Sequence, residues 1–182
     1  MKKFFKMGCL GFIILIALIV IIAVATSGGS DSSDKASGSD SKQEQKKEYT
    51  VGQDVPVKNL SYNVVSAEEK TQISSVLGNK TTEGKYVVVD LKVTNHEKKA
   101  RTMDSSMLRI KTSDGTEYNP DATLDTYVND DGVGFFLKQI NPNMTAHSKV
   151  VFEIPADTDS YELQVSSGMG FTGGNYEKIK LK

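Results

Sequence analysis

The stretch from Tyr49 to Lys182 predicts an all-β fold, an antiparallel β-sandwich, on three observations. Apolar residues recur with a period of two, turn-forming residues separate the runs, and no window sustains the 3.6-residue period of an amphipathic helix. Short strands without interleaved helices pair antiparallel and stack as two sheets instead of building an α/β fold. One N-terminal transmembrane helix and a disordered linker are predicted ahead of this domain.

The chain opens on residues 1–6, a basic flank carrying Lys2, Lys3 and Lys6. From Met7 to Ser30 there is no charge, and the centre is almost wholly Ile, Leu, Val and Ala. A bilayer-crossing helix needs about 20 such residues, so residues 7–26 read as a transmembrane helix through which the protein meets the membrane. Basic flanks stay in the cytoplasm, which puts everything after Thr26 outside the cell. A signal peptide is the alternative for the same residues, because Ala23-Val24-Ala25 forms an A-x-A cleavage site; the domain is then secreted. Cys9, the only cysteine, precedes the apolar run where a lipoprotein signal would have it follow. The exported part therefore has neither a disulfide framework nor a thiol nucleophile.

Residues 27–48 are rich in Gly, Ser, Asp, Lys and Gln and hold no large apolar side chain. They cannot bury enough surface to offset the entropy of ordering, and they read as a flexible linker. As a random coil it spans roughly 25 Å on average.

Residues 49–182 form the extracellular domain. In KYVVVDLKVTN, Val87, Val89, Leu91 and Val93 share one face while Val88, Asp90, Lys92 and Thr94 share the other, the alternation of a half-buried strand. The pattern returns at Leu108 and Ile110, at Val150, Phe152 and Ile154, at Tyr161, Leu163 and Val165, and at Ile179 and Leu181. Ser113-Asp114-Gly115 signals a hairpin. Pro142-Asn143 supplies a fixed φ followed by a residue tolerant of the left-handed region, and Pro155 closes VVFEIP because it cannot donate to a ladder.

Taken in order, Thr50-Val51-Gly52, GKYVVVDLKVTN, SDGTEY, INPN, VVFEIP and YELQV resemble the exported immunoglobulin-like family known as domain of unknown function 4352. The resemblance covers most of Tyr49 to Lys182 and rests on the order and spacing of short motifs. Asn143 departs from the glycine often found after the proline in that family. The resemblance implies an immunoglobulin-like sandwich and export, in proteins found mainly in Gram-positive bacteria behind a lipoprotein signal or membrane helix and a polar linker. It implies no activity.

Net charge is -1, which gives no general attraction to nucleic acid or acidic lipid. Gly168, Gly170 and Gly173 spell G-x-G-x-x-G, but a dinucleotide site needs a helix opening at its end. Here a β pattern precedes the motif and NYEKIKLK reads as another strand, so no nucleotide is expected and the glycines form a loop. Met169 and Phe171 in that loop either contact a partner or pack onto the end of the sandwich. His96 and His147 read as turn residues outside any nucleophile motif or metal-ligand spacing. VNDDGVG, with Asp121 and Asp125 upstream, lacks the acidic ladder and closing glutamate of a calcium loop. The outward lysines of IKLK, Lys180 and Lys182, read as edge-strand lysines that block aggregation, with contact to anionic wall polymers as the alternative. No catalytic, metal or cofactor residue is assigned. The expected function is a non-catalytic extracellular binding or interaction module for an unidentified envelope protein or polymer. The alternative is an envelope enzyme or metal-dependent hydrolase whose site only folding assembles.

Overall fold

Where apolar and polar residues alternate, the backbone adopts strands that turn alternate side chains inward. The computed structural model describes residues 47–129, 134–168, 170–171 and 175–182. The basic flank, the 7–26 segment and the linker up to residue 46 lie outside the described residues. One five-stranded sheet has the order β1 (Tyr49–Thr50), β11 (Tyr176–Lys180), β10 (Tyr161–Ser166), β6 (Leu108–Thr112), β7 (Glu117–Tyr118). A four-stranded sheet has the order β2 (Asp54–Val57), β3 (Leu60–Ser75), β4 (Gly78–Asn95), β9 (Thr145–Ile154). β5 (Arg101–Thr102) and β8 (Gln139–Ile140) pair separately. β1 runs parallel to β11, and the other ladders are antiparallel. A 3-10 turn at Ser105–Met107 and a one-turn helix α1 (Asp125–Val128) complete the described elements. The expected all-β sandwich is present. Its core lies between the two large sheets, where Val87, Val89, Leu91 and Val93 face Leu108, Ile110, Leu163, Val165 and Ile179.

The turns sit where the sequence placed them. β6 and β7 form the hairpin around Ser113-Asp114-Gly115, with Gly115 at φ 90°. Asn143 adopts φ 58° between β8 and β9, and β9 ends at Ile154, before Pro155.

A bulge at Val65 changes what β3 presents to the core. Val64 pairs with Leu91 but Ser66 pairs with Asp90, so one residue is extra and the inward phase shifts. Leu60, Tyr62 and Val64 face inward before the bulge; beyond it, Ala67 and Glu69 lie opposite the inward Val89 and Val87. Two tyrosine hydroxyls then bridge the sheets in opposite directions. Tyr62 of β3 donates to the Ser166 carbonyl of β10 at 2.6 Å, and Tyr161 of β10 donates to Glu69 of β3 at 2.8 Å. Lys85, a residue only 8% exposed, also binds Glu69 through its ammonium at 3.0 Å, and Lys182 joins at 3.1 Å. Burial resists a charge on Glu69, but the Tyr161 hydroxyl and the two ammonium groups outweigh it and hold its carboxyl at about 2.

The outer face of the four-stranded sheet is covered at one end. Tyr86, Val88 and Val151 point away from the main core and form a second one with Ile73 and Leu124, against which Tyr127 and Val128 pack. Ile73 reaches this cluster because a second register shift, between Lys70 and Gln72, redirects the β3–β4 ribbon. Gly84 sits in that shift, where an added Cβ would collide with the Ile154 carbonyl oxygen, so the backbone approach there excludes a side chain. β9 is one of the two edge strands, and Asn129 covers part of it: its amide donates to the Lys149 carbonyl at 2.9 Å and accepts from the Lys149 N–H at 2.8 Å. A side chain thus occupies the hydrogen-bonding groups that an incoming strand would use.

Candidate functional site

On the outer face of the five-stranded sheet, register places charged residues of alternating sign side by side. Gln164 lies between Arg109 and Lys178, and Glu162 lies between Lys111 and Lys180. Arg109 donates to Glu117 at 2.6 Å and to Gln164 at 2.8 Å. Gln164 donates to Glu162 at 2.7 Å, and Lys178 meets the same glutamate at 2.7 Å. Burial opposes ionisation of Glu162, but the Lys178 and Gln164 hydrogen bonds prevail and hold its carboxyl below its usual range. The network runs unbroken from β7 to β11.

Beside it opens a trough of about 520 Å³, lined by Lys47, Lys111, Lys178, Lys180 and Lys182 against two carboxylates, Glu48 and Glu162. Thr50 and Ser113 add hydroxyls, while Tyr49 and Tyr161 lie in its lining almost fully buried. Lys47 sits 5.0 Å over the Tyr49 ring. Among the described residues Lys180 has no carboxylate partner. The trough is cationic, and it brings Lys47 and Lys111 together with Lys178, Lys180 and Lys182, from which they lie far apart in sequence.

The residues singled out from the sequence are distributed elsewhere. His96 follows β4 as an exposed loop residue, with its Nε2 2.9 Å from Ser61 Oγ; this is a nucleophile-and-base pairing, but no carboxylate orients the second ring nitrogen among the described residues. His147 is not a turn residue: it lies in β9, because the strand begins at Thr145, and its ring pairs with Asp90 of β4. A second trough of about 480 Å³ passes Glu68, Asp90, Lys70 and Lys149, and Glu68 is paired with Lys70 at 2.8 Å. No group of three or more His, Cys, Asp or Glu side chains converges among the described residues. Asp125 serves the backbone: it is 2% exposed, and its Oδ2 accepts the N–H groups of Phe135 at 2.8 Å and Phe136 at 3.3 Å. Burial pushes its carboxyl above its ordinary range.

Of the glycine motif, Gly168 and Gly170 are described, and Gly173 and Met169 are not. Among the described residues the motif opens no helix, and a strand, β11, follows it. Gly170 has φ 74°, its N–H donates to Ser106 Oγ at 3.2 Å, and its carbonyl accepts from Ser166 Oγ at 2.7 Å. Phe171 lies with its ring 3.9 Å from the Arg109 guanidinium carbon and edge-on to Tyr176. It packs on the face of the sheet, not as a free tip.

A model described as Domain of unknown function (DUF4352) matches residues 49–178. The chain belongs to this family. Among solved structures, the DUF4352 chain is similar to an uncharacterized β-sandwich protein from Clostridium difficile 630, with TM-score 0.51 and 14% identity over 85% of this chain and 100% of that one. It is also similar to the yjhA protein from Bacillus subtilis, with TM-score 0.55 and 8% identity over 74% and 99% of the two chains. A third likeness is to the secreted protein MPT63 from Mycobacterium tuberculosis, with TM-score 0.50 and 13% identity over 74% and 95%. At these identities the likeness concerns the fold. No curated protein matches the sequence.

Sequence reasoning missed most of what the DUF4352 domain assembles on this face. Lys111 and Glu162 appear in a linear reading only as the polar half of an alternation, and cross-strand register makes them neighbours. Glu69 left no signal, because the bulge that turns it inward is set by pairing and not by a turn residue. Among the described residues no helix is long and apolar enough to cross a membrane; the 7–26 segment lies outside them.

Proposed function

We propose that this DUF4352 protein is a membrane-tethered extracellular binding module. Its immunoglobulin-like sandwich is held outside the cell by residues 7–26 and the 27–48 linker, and it acts by non-catalytic contact with an envelope partner. The lysine-lined trough carries this reading, since it is a concave surface whose charge is not balanced locally. The uncharged run behind Lys2, Lys3 and Lys6 supports the tether, and a secreted protein among those of similar fold supports export.

The test is a topology measurement on the full chain. With Cys9 replaced by serine, Ser37→Cys places a single thiol in the linker. A membrane-impermeant thiol reagent should label it on intact cells, and the intact mass should retain residues 1–26. Labelling only after lysis would overturn export, and a mature chain beginning at Thr26 would replace the tether with secretion.

A further inference from the structure

We infer that the trough on the five-stranded sheet binds a linear polymer bearing one phosphate monoanion per repeat. This rests on the reading of the protein as an exported binding module and names the chemistry of its ligand.

The whole chain is nearly neutral, with 22 Lys and Arg against 23 Asp and Glu. Five lysines around one trough with two glutamates are therefore a local segregation of charge. Protection of a sheet edge does not account for Lys180: β11 lies between β1 and β10, and Lys180 is paired with Thr50 on one side and Glu162 on the other. Internal ion pairs absorb only part of the charge, because each carboxylate they use is shared, and among the described residues Lys47 and Lys180 have no carboxylate partner. Glu162 is engaged by Lys178 at 2.7 Å. Lys111 reaches Glu117 only at 3.7 Å, and Glu117 already binds Arg109 at 2.6 Å. Lys182 shares Glu69 with the buried Lys85.

Shape then selects among anions. From β1 across β11 and β10 to β6 the lysines span three strand spacings, about 14 Å, which is too long for a single phosphate and suited to successive charges along a chain. A bilayer presents a flat array of headgroups, whereas these ammonium groups line a concavity that a strand-like polymer can enter. Nucleic acid is disfavoured by the aromatic residues of the trough, because Tyr49 and Tyr161 are 6% and 5% exposed and offer no free ring on which bases could stack. Lysine suits a ligand that slides in register, since its ammonium is a compact charge without the fixed fork of arginine.

The test uses the full chain in an uncharged detergent, with long-chain inorganic polyphosphate as probe. Neutralising three to four phosphates releases counterions, so binding should weaken about 20- to 50-fold between 50 and 200 mM salt. The double variant Lys111→Glu with Lys180→Glu should weaken binding about tenfold or more at low salt, with a melt that stays cooperative but falls somewhat in temperature, because Glu162 then faces a glutamate on both sides. Lys92→Glu on β4 with Lys98→Glu in the loop that follows it makes the same change in net charge away from the trough, and should leave binding within about twofold. Absence of binding, or equal loss in both double variants, overturns the proposal. So does inorganic phosphate that competes equally per phosphorus atom, or binding that appears only when the micelles are doped with an anionic phospholipid. None of these outcomes alters the linker-labelling result, so failure of the ligand assignment and failure of the exported-module reading are separable.

Discussion

On the four-stranded sheet, Tyr86, Val88 and Val151 point away from the main core and are buried all the same, beneath Leu124, Tyr127 and Val128. The corresponding outward positions of the five-stranded sheet hold Arg109, Lys111, Glu162, Gln164, Lys178 and Lys180. The two faces meet one physical demand differently. An outward apolar residue needs a cover, and a four-residue helix provides it; an uncovered face must keep its polar groups paired or wet. A cover removes only the part of a face that it occupies, so binding falls to the wet parts of either sheet, and of the two troughs the lysine-lined one is the more cationic.

The largest effect expected lies between the sheets. Leu91→Asp places an unpaired charge in the main core and should cost at least about 4 kcal/mol, enough to abolish a cooperative urea transition. Its neighbour Lys92→Asp, on the opposite face of β4, should shift the midpoint little. Comparable midpoints for the two would reverse the assigned faces of β4.

Next is the cover itself. Val151→Ala removes two buried methyl groups and should cost about 1.5 to 2 kcal/mol at roughly 0.8 kcal/mol per group. Lys180→Ala on the uncovered face should stay within about 0.5 kcal/mol. If both were neutral by thermal melting, α1 would not be a cover.

Much of the sandwich was legible because alternation at Val87, Leu108, Val150, Leu163 and Ile179 reports a half-buried strand directly. The helical cover was not. Val88 and Val151 are apolar at outward positions, which was the available sign that something lies over them, but α1 is one turn long and shows no helical period. The lysine trough was half legible: Lys180 and Lys182 could be seen as outward, but their alignment with Lys111 and Lys47 depends on the register of β1, β11, β10 and β6.

Smaller effects sharpen the comparison. Tyr62→Phe removes the hydroxyl that donates to Ser166 across the core and should cost about 1 to 2 kcal/mol, because the buried carbonyl loses its partner. Gly170→Ala meets no atom within 4 Å but has φ 74°, so its cost, about 1 kcal/mol, is conformational. It fixes the loop that seats Phe171 on Arg109. Nicotinamide and flavin dinucleotides should show no binding by calorimetry with or without that change.

The Glu69 cluster gives the smallest effect. Its carboxyl is held at about 2, against 4.5 for an ordinary glutamate. The stability it contributes is therefore complete above pH 4.5 and is lost as pH falls toward 2. The group is partly exposed, so solvent screening limits this to about 1 kcal/mol or less. Glu69→Gln should lower stability at neutral pH and flatten the acid limb of the stability profile, as followed by urea melts; an unchanged limb would place the acid sensitivity elsewhere.

The contrast between a covered and an uncovered face is tested most directly by thiol reactivity, because Cys9 is the only native cysteine and can be replaced by serine. In that background, Lys180→Cys should react with a small thiol reagent at the rate of an unstructured peptide. Val88→Cys should react at least about a hundredfold more slowly, since it must wait for the α1 cover to open. Similar rates at the two positions would contradict the account.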